Sequence, residues 1–326
     1  MSIGIYYEHP EWFRALFAVL EKRGVEYEKI DAANHSFSPE DLNKFPVVFN
    51  RMSASAYLRD HQNAVFYTRG LLANLERSGV RVINGRDAYE IEISKALQVS
   101  LFALLGVKFP KTRVINSLSK LVDVSDSLTF PLVIKPNIGG RGAGIVKFDS
   151  REELRNSVEE NLIDLGIDGT LLVQEYIPKR GDHINRVETL EGKFLYGLKI
   201  YPNDESFNLC PAEFCEAERK EPEIGFCLTD APKMGLKIEN FDPPAEIIAT
   251  VESIVKEARI DVGGVEYLID DRTGDALFYD INALSNFVAD AVNLIGFDPH
   301  ENLVDYLEKE IEKCVTDIGC RSLAVG

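Results

Sequence analysis

The stretch VIKPNIGGRGAGIVKF, from Val133 to Phe148, has residue types and a spacing that suit phosphate binding. A short apolar run with β character ends at Lys135, and a second β-like run begins at Ile145. The loop between them has glycine at four of six consecutive positions: Gly139, Gly140, Gly142 and Gly144. Glycine leaves no side chain between the backbone and a ligand, so successive N–H groups can surround a phosphate. We therefore predict a flexible flap between two strands, with Lys135 neutralising phosphate charge at its base.

Two better-known phosphate-binding loops do not fit this stretch. A Walker A motif ends in Gly-Lys-Ser/Thr and, like the dinucleotide-binding fingerprint, leads into a helix, whereas a strand pattern follows here. A hairpin loop without a ligand remains an alternative, because glycine also marks ordinary turns. The length of the loop and the neighbouring lysine favour nucleotide binding.

A second group of chemically active residues lies in GGVEYLIDDRTGDALFYDINALSNF, where two β-like runs flank the turn DRTGD. If Asp270 pairs with Ala276, the antiparallel register places Glu266 opposite Asp280, and Asn282 shares that face. Opposed carboxylates repel one another unless a cation separates them, and such hard oxygen ligands suit Mg²⁺ held together with substrate phosphates. The alternative is an edge hairpin with solvated acids. The apolar residues around Asp280 favour the metal site.

Composition limits the classes of function. The 326 residues suggest two or three packed subdomains, and a hydrophobic fraction of 45% is ample for a core. The formal charge of −17 repels a phosphate backbone, so we expect no nucleic-acid partner. We see no secretory signal and no apolar run of membrane-spanning length, and the five scattered cysteines form no CxxC pair. We therefore expect a cytoplasmic protein without a membrane partner.

Strand and helix patterns alternate over residues 1–86, which predicts a small α/β domain with a parallel sheet. Arg51 follows one of its apolar strands, where open α/β sheets present loops to ligands. It is a candidate substrate contact, although a solvated loop arginine is the more common case. The next pattern, Tyr89–Leu105, predicts a single amphipathic helix closed by Gly106. Lys95 within it is by default a surface residue.

The following α/β unit contains the flap and ends in a strand with the sequence VQEYIP, Val173–Pro178. That strand end can offer backbone groups to a purine edge, or it simply leaves the core. A predicted hairpin then carries Arg186 and Lys199. The irregular stretch Pro202–Pro244 is predicted to be an insertion. Asp298 is the predicted N-cap of the last helix, whose end after Cys314 is expected to fray.

In this order, the pieces resemble the ATP-grasp superfamily, and most nearly the RimK-like carboxylate–amine ligases. The matching residues are Lys95, Lys135 in VIKPNIGGRGAGI, Glu175 in VQEYI, and Glu266, Asp280 and Asn282 in EYLID…FYDIN. The resemblance covers roughly residues 87–312. It implies an α/β (α+β) class with the ATP-grasp fold, in which two α+β subdomains clasp the nucleotide. The implied division is an N-terminal α/β domain (1–86), a central subdomain (87–178), a C-terminal subdomain (179–315) and a tail (316–326).

The resemblance also implies a role for each matching residue. Lys95 and Lys135 would contact the ATP phosphates, and the flap would close over them with Gly139, Gly140, Arg141, Gly142, Ala143 and Gly144. Glu175 and the backbone of Tyr176 and Ile177 would hold adenine. Glu266, Asp280 and Asn282 would bind two Mg²⁺ ions, with Mn²⁺ as the alternative metal. Arg186 would face the transferred phosphoryl group, and Lys199 would do similar work on the next strand.

The implied reaction joins a small-molecule carboxylate to an amine, an amino acid or a peptide, through an acyl phosphate, and it releases ADP and phosphate. The alternatives are a small-molecule kinase of the same fold and a nucleotide-binding regulator without turnover. The family often forms dimers or tetramers, so a homo-oligomer is also an expectation. The motif DIN replaces the more usual Glu-x-Asn, and ALSNF lacks the pattern that often holds the acceptor in amino-acid ligases. Together with the insertion, these departures leave the substrates open.

Overall fold

The structure is a computed structural model that describes residues 2–9, 11–38, 40, 44–140, 142–201 and 237–323. Arg141 of the predicted flap and most of the predicted insertion, residues 202–236, lie outside the described residues. The described part of the chain is organised around one sheet of the N-terminal region and two sheets of the remainder.

The N-terminal sheet has two inner strands whose side chains are buried on both faces, whereas one edge strand, Tyr27–Asp31, is partly exposed. Its elements are β1 (Ile3–Tyr7), α1 (Arg14–Arg23), β2 (Tyr27–Asp31), β3 (Val47–Arg51), α2 (Gln62–Arg77) and β4 (Arg81–Ile83). The strand order is β2-β1-β3-β4, and the strands pair in parallel, which confirms the predicted parallel sheet. A 3-10 helix, Ala54–Arg59, follows β3 at the carboxyl edge of this sheet.

The predicted helix Tyr89–Leu105 is two helices, so the expectation of one continuous helix was wrong. The helices are α3 (Arg86–Glu92) and α4 (Lys95–Leu104). Ser94 separates them, because its hydroxyl accepts a hydrogen bond from the Leu97 N–H at 3.2 Å and so begins a new helix. The break places Lys95 at the first position of α4.

The central sheet is antiparallel and carries the flap. Its elements are β5 (Thr112–Ile115), α5 (Leu121–Ser125), β6 (Leu132–Pro136), β7 (Val146–Phe148), α6 (Arg151–Glu159) and β8 (Leu171–Glu175), with strand order β5-β8-β6-β7. Ile134 on β6 pairs with Val146 on β7, so the glycine-rich stretch joins two paired strands as predicted. An apolar core packs the sheet against α5 and α6 through Leu121, Leu132, Ile134, Phe148, Leu154 and Val173.

The C-terminal sheet has five strands in the order β11-β10-β9-β12-β13. Its region contains β9 (Ile184–Leu190), β10 (Lys193–Tyr201), β11 (Lys237–Phe241), α7 (Ala245–Glu257), β12 (Val262–Ile269), β13 (Ala276–Asn282), α8 (Ala291–Ile295) and α9 (Pro299–Leu323). Val187 and Val265 pack with Val251 of α7 in one core. Because neighbouring residues of a strand point to opposite faces, Arg186 and Glu266 project from the other face.

At its turn, the hairpin of β12 and β13 is paired one residue away from the predicted register. Pairing starts at Ile269 and Ala276 rather than at Asp270, so the assumed first pair was wrong. A β-bulge then adds Tyr279 to β13, and beyond it Glu266 lies opposite Asp280 as predicted. The bulge shifts the register by one residue and thereby compensates for the one-residue difference at the turn.

The N-terminal region is bonded to the C-terminal sheet through Asn84, which has a positive φ of 50°. Its side-chain oxygen accepts hydrogen bonds from the N–H groups of Asp261 and Val262 at 2.8 and 3.0 Å. Its amide nitrogen donates to the carbonyls of Val262 and Ala283. One buried side chain thus holds the beginning of β12 and the end of β13 to the N-terminal sheet.

The last helix begins at Pro299 after the predicted cap, where the Asp298 carboxylate accepts a hydrogen bond from the His300 N–H at 2.9 Å. It continues to Leu323, so the residues after Cys314 are helical and the expectation of a frayed end there was wrong. No proline interrupts this part of the sequence. In the part of the chain that the structure describes, no helix is long and apolar enough to cross a membrane.

Candidate functional site

Oxygen ligands converge on β12 and β13. Glu266 pairs with Asp280 across the two strands, and Asn282 lies two residues further along β13 on the same face. The Asn282 amide nitrogen lies 3.4 Å from an Asp280 carboxylate oxygen. Burial and the neighbouring Asp280 raise the pKa of Glu266, although Arg186 opposes the shift. A cation between the two carboxylates would relieve that repulsion.

Lys95 joins these carboxylates from the central part of the chain. Its ammonium donates to Asp280. Burial alone would lower the pKa of Lys95, but the Asp280 carboxylate raises it above its usual value. The backbone of α4 is anchored here as well, because the Asn137 side chain accepts a hydrogen bond from the Ala96 N–H at 2.8 Å. The lysine that the sequence places on a helix surface is therefore a residue beside the acids, with only 16% of its side chain exposed.

Lys135 lies near the end of β6 and is only 6% exposed. Burial and the positive charge of Lys95 lower the pKa of Lys135 to about 7, against the opposing effect of Asp280 and Glu266. The structure thus brings the two predicted phosphate-binding lysines to the same carboxylates. A phosphate group at this place would find two ammonium groups close together.

Arg186 occupies β9 beside Glu266 and is 8% exposed. Its Nη1 donates to a Glu266 oxygen at 3.0 Å, and its Nε donates to Glu188 at 2.6 Å. Burial alone would lower the pKa of Arg186, but Glu188 and Glu266 raise it above its usual value. Arg186 is therefore a fixed positive charge at the edge of the carboxylate pair.

The flap packs against the N-terminal region. Gly142 and Gly144 have positive φ of 72° and 73°, which residues with side chains rarely adopt. A Cβ on Gly140 would lie 2.6 Å from the Cβ of Ser55, so the close approach requires glycine there. Ala143 is buried, and a Cβ on Gly139 would lie 3.8 Å from the Lys95 Cε. The described part of the flap therefore lies beside Lys95.

The predicted adenine-binding segment follows β8. The Glu175 carboxylate accepts a hydrogen bond from the Thr129 N–H at 2.9 Å. The Tyr176 N–H donates to the Pro131 carbonyl at 2.9 Å. The Tyr176 N–H is already bonded to the Pro131 carbonyl. The prediction that Tyr176 and Ile177 hold adenine therefore depends on the Tyr176 carbonyl and the Ile177 N–H.

Lys199 and Arg51 are not brought to the carboxylates. Leu198 pairs with Arg186, so Lys199 points from the opposite face of the sheet, where its ammonium lies 5.7 Å from the centre of the Phe241 ring. Arg51 is 3% exposed and donates to Ser285 and to the Asn286 side chain. It is neither the solvated loop arginine nor a residue at the candidate site.

Sequence reasoning missed three residues that hold β13 in place. Gln98 accepts from the Ile281 N–H at 3.1 Å and donates to the Ile281 carbonyl at 2.9 Å. The half-buried Glu92 accepts from the N–H of Ala283 at 2.7 Å, and Tyr279 in the bulge donates to Glu266 at 2.9 Å. The sequence could have indicated that Gln98 is buried, because Gln98 stands three and four positions before Leu101 and Phe102 and so shares the buried face of the helix. No sequence pattern indicated the contacts of Glu92 and Tyr279.

The donor set fits Mg²⁺. Glu266, Asp280 and Asn282 offer only oxygen atoms to a metal, which Mg²⁺ prefers. Among the described residues, no group of three or more His, Cys, Asp or Glu side chains could hold a metal. A Mg²⁺ ion would therefore need Asn282 and phosphate oxygens in addition to the two carboxylates, as is usual for Mg²⁺ bound with a nucleotide.

Solved structures of ATP-grasp ligases share this fold. The ligase PsnB in complex with a minimal precursor superposes with a TM-score of 0.65 at 15% identity, over 95% of this chain and 99% of that one. The D-alanine–D-alanine ligase from Bacillus anthracis, complexed with ATP, gives a TM-score of 0.65 at 16% identity, over 97% of this chain and 99% of its own. The fold is therefore that of the ATP-grasp ligases.

Sequence comparison indicates which ATP-grasp proteins this chain is similar to. Residues 93–209 match the family described as the RimK-like ATP-grasp domain. A probable alpha-L-glutamate ligase from Methanococcoides burtonii is 28% identical over 247 residues, which cover 70% of this chain and 77% of the relative. The resemblance to the RimK-like ATP-grasp domain that was noted in the sequence is therefore confirmed over residues 93–209.

Proposed function

We propose that this protein is an ATP-dependent ligase that joins a carboxylate to an amine through an acyl phosphate. An oxygen of the substrate carboxylate attacks the γ-phosphorus of ATP, and ADP leaves. The amine nitrogen then attacks the acyl carbon, phosphate leaves, and the nitrogen loses a proton. Each turnover therefore consumes one ATP and yields one ADP, one phosphate and one amide.

The observation that carries the proposal is the meeting of two buried cations and the largely buried Lys95 with three oxygen ligands beside the flap. Lys95, Lys135 and Arg186 come from a helix, a strand of the central sheet and a strand of the C-terminal sheet. The ion pairs of Lys95 with Asp280 and of Arg186 with Glu266, and the electrostatic interaction of Lys135 with both carboxylates, support a single site for the three cations. Phosphoryl transfer asks mainly for such positioning and charge neutralisation.

Each cation has a distinct role in the proposal. Lys135 has a lowered pKa because its charge is poorly compensated, and a polyphosphate would supply the missing negative charge. Lys95 would exchange Asp280 for a phosphate oxygen. Arg186 would stay at its place on β9 and stabilise the negative charge of the phosphoryl group during transfer.

Glu266, Asp280 and Asn282 would hold Mg²⁺, with Mn²⁺ as a substitute and two ions as the proposed number. The metal would supply positive charge that offsets the negative charge of the nucleotide phosphates. The chain's own part is to keep the two carboxylates opposed on β12 and β13 and to close the flap. Closure excludes water, which would otherwise hydrolyse an acyl phosphate.

For the amine substrate, we propose an amino acid, and glutamate is the first to test. The support is that curated relatives from several organisms are named probable alpha-L-glutamate ligases. For the acid, we propose a small molecule or the carboxyl end of a peptide. The protein would act in the cytoplasm, where ATP is available, with no nucleic-acid partner because of its charge of −17.

The test is a turnover assay with ATP and Mg²⁺. Pooled carboxylic acids are added with and without pooled amino acids, and ADP and free phosphate are measured together. We expect both products to rise equally, and only when an acid and an amine are present. The same assay with glutamate as the sole amine then tests the narrower proposal.

Two outcomes of this assay would contradict the proposal. ADP without matching free phosphate would mean that the phosphoryl group stays on the product, which defines a kinase. Binding of ATP without turnover under every combination of pools would favour a nucleotide-binding regulator.

A further inference from the structure

The face of the C-terminal sheet that carries the candidate site has two rows of side chains. In the first row, Leu198, Arg186, Glu266 and Asp280 lie opposite one another on β10, β9, β12 and β13. In the second row, Tyr196, Glu188, Gly264 and Asn282 do the same. Glu188 is therefore the acid that stands beside Arg186 on the same strand and the same face.

Gly264 leaves a gap between the two rows, and the guanidinium of Arg186 fills it. A Cβ at position 264 would lie 2.8 Å from Arg186 Nε, 2.9 Å from its Nη2 and 2.9 Å from a Glu188 oxygen. No side chain larger than hydrogen fits there without moving the guanidinium. Gly264 lies within β12, so no turn requires a glycine there. Glycine is needed because it leaves room for the guanidinium of Arg186.

Glu188 binds Arg186 in an unusual way for a buried acid. It is fully buried, and one oxygen accepts from Arg186 Nε at 2.6 Å. Among the described residues, its other oxygen, Oε2, is buried without a hydrogen-bond partner. A bidentate contact through both oxygens would be stronger than this single one. The one-sided contact leaves Arg186 free to reach Glu266 with Nη1.

We propose that Glu188 is a positioning residue that keeps Arg186 from binding Glu266 too tightly. This inference rests on the proposed function, because it concerns the metal-binding role of Glu266. Glu188 holds the Nε edge of the guanidinium over Gly264, so Arg186 makes a single contact with Glu266, at 3.0 Å from Nη1. The Tyr279 hydroxyl donates to the other Glu266 oxygen. Without the negative charge of Glu188, Arg186 turns towards Glu266, displaces the Tyr279 hydroxyl and pairs with both oxygens. Glu266 is then less available to Mg²⁺.

Two variants distinguish the effect of the Glu188 charge from the effect of the position of the Arg186 guanidinium. Glu188→Gln keeps the shape and an acceptor for Nε but removes the charge. Gly264→Ala keeps the charge but pushes the guanidinium out of its gap, and the atoms that must move are the end of a flexible side chain. The matched control is Glu310→Gln, because Glu310 is also a buried acid that accepts from an arginine Nε, that of Arg81 at 2.7 Å, away from the candidate site.

The measurement is ADP binding by calorimetry, first in EDTA and then at increasing Mg²⁺ concentration. In both site variants we expect the metal-free affinity to stay within about twofold, while the Mg²⁺ concentration for half-maximal tightening rises about tenfold, or ~1.4 kcal/mol. Glu310→Gln should leave the Mg²⁺ dependence unchanged. Melting temperatures of the ligand-free proteins report the structural cost of each substitution separately.

The results divide the possible explanations. If Glu188→Gln lowers the melting temperature as Glu310→Gln does but keeps the wild-type Mg²⁺ dependence, Glu188 only stabilises the fold and the inference is overturned. If Gly264→Ala alone keeps the wild-type dependence, the position of the guanidinium does not matter and the inference is overturned as well. If the wild-type protein binds ADP without any effect of Mg²⁺, the metal role of Glu266 and the proposed function fail together.

Discussion

The central and C-terminal sheets treat buried positive charge in opposite ways. On the central sheet, burial and the nearby Lys95 lower the pKa of Lys135 to about 7. On the C-terminal sheet, Glu188 and Glu266 overcome the effect of burial and raise the pKa of Arg186. The first sheet therefore presents a poorly compensated cation, which favours a polyanion. The second presents a cation that the fold has already neutralised.

This difference assigns different tasks to the two sheets. A bound polyphosphate can complete the charge balance of the central sheet without disturbing other contacts. A metal ion at the C-terminal sheet must compete with cations, because Asp280 pairs with Lys95 and Glu266 pairs with Arg186. We therefore expect nucleotide and metal to bind together, since phosphate draws Lys95 away from the acid that the metal needs.

The largest effect is expected for Asp280→Asn on the C-terminal side. Asparagine has nearly the same shape but no charge, so turnover should fall at least about 100-fold while the fold is kept. ADP release and the melting temperature measure the two properties. Asp275→Asn is the control, because Asp275 forms an ion pair with Lys108 at 2.7 Å at the other end of the same hairpin. Wild-type turnover in Asp280→Asn would contradict the metal assignment.

A somewhat smaller effect is expected for Lys135→Met on the central side. Loss of a charged hydrogen bond to phosphate should weaken ATP binding by about 10- to 100-fold. The ligand-free variant should melt no lower than the wild type, because a buried cation is removed. Calorimetric titration and thermal unfolding measure both, with the exposed Lys108→Met as a control. An unchanged dissociation constant would contradict the role of Lys135 and of the flap.

The pH dependence of nucleotide binding follows from the lowered pKa of Lys135. In the free protein, this lysine is mostly neutral above about pH 7, and a bound phosphate favours its charged form. Binding should therefore take up a proton, and the ADP affinity should fall by up to about tenfold per pH unit as the pH rises from about 8 to 9. Titration in buffers of different ionisation enthalpy measures the uptake. Lys135→Met should lose this slope, and an equal slope in both proteins would exclude Lys135 as its source.

The smallest effect is expected for Lys199→Met. Lys199 lies on the opposite face of the sheet from Arg186, so kcat/KM should change less than about twofold. Arg186→Met, on the site face of the neighbouring strand, should lose about 100-fold. Steady-state kinetics on both variants test whether only the basic residue on the site face of the sheet contributes to turnover. Comparable losses would mean that Lys199 reaches the substrate after all.

Local sequence patterns predicted much of this protein. The glycine flap between two strands and the parallel N-terminal sheet follow from residue type and strand alternation, and the structure has them. The predicted pairing of Glu266 with Asp280 is also present, but only because a bulge offsets the wrong first pair. Asp298 marks a helix start at the position that capping rules indicate. The domain boundaries and the roles of the site residues stay predictions.

Other features depended on contacts that no local pattern contains. The break at Ser94 involves Asn137, which lies 43 residues further along the chain and accepts a hydrogen bond from the Ser94 hydroxyl. The first pair of the β12–β13 hairpin was mistaken because a bulge is a property of the paired strands. The resemblance implied the phosphoryl-facing role for Arg186 and similar work for Lys199, and only the register of β9 and β10 showed that the two side chains lie on opposite faces.

The sequence by itself determined which chemical groups this protein has and in which order they occur. Spacing along a strand or helix fixes which face a residue takes, because those periods are local properties of the backbone. Only the tertiary structure decided that Lys95 pairs with Asp280, that Gln98 and Glu92 hold β13, and that Gly264 makes room for Arg186. These contacts join segments far apart in the chain, and their free energy comes from burial and charge pairing, which exist only once the sheets have packed.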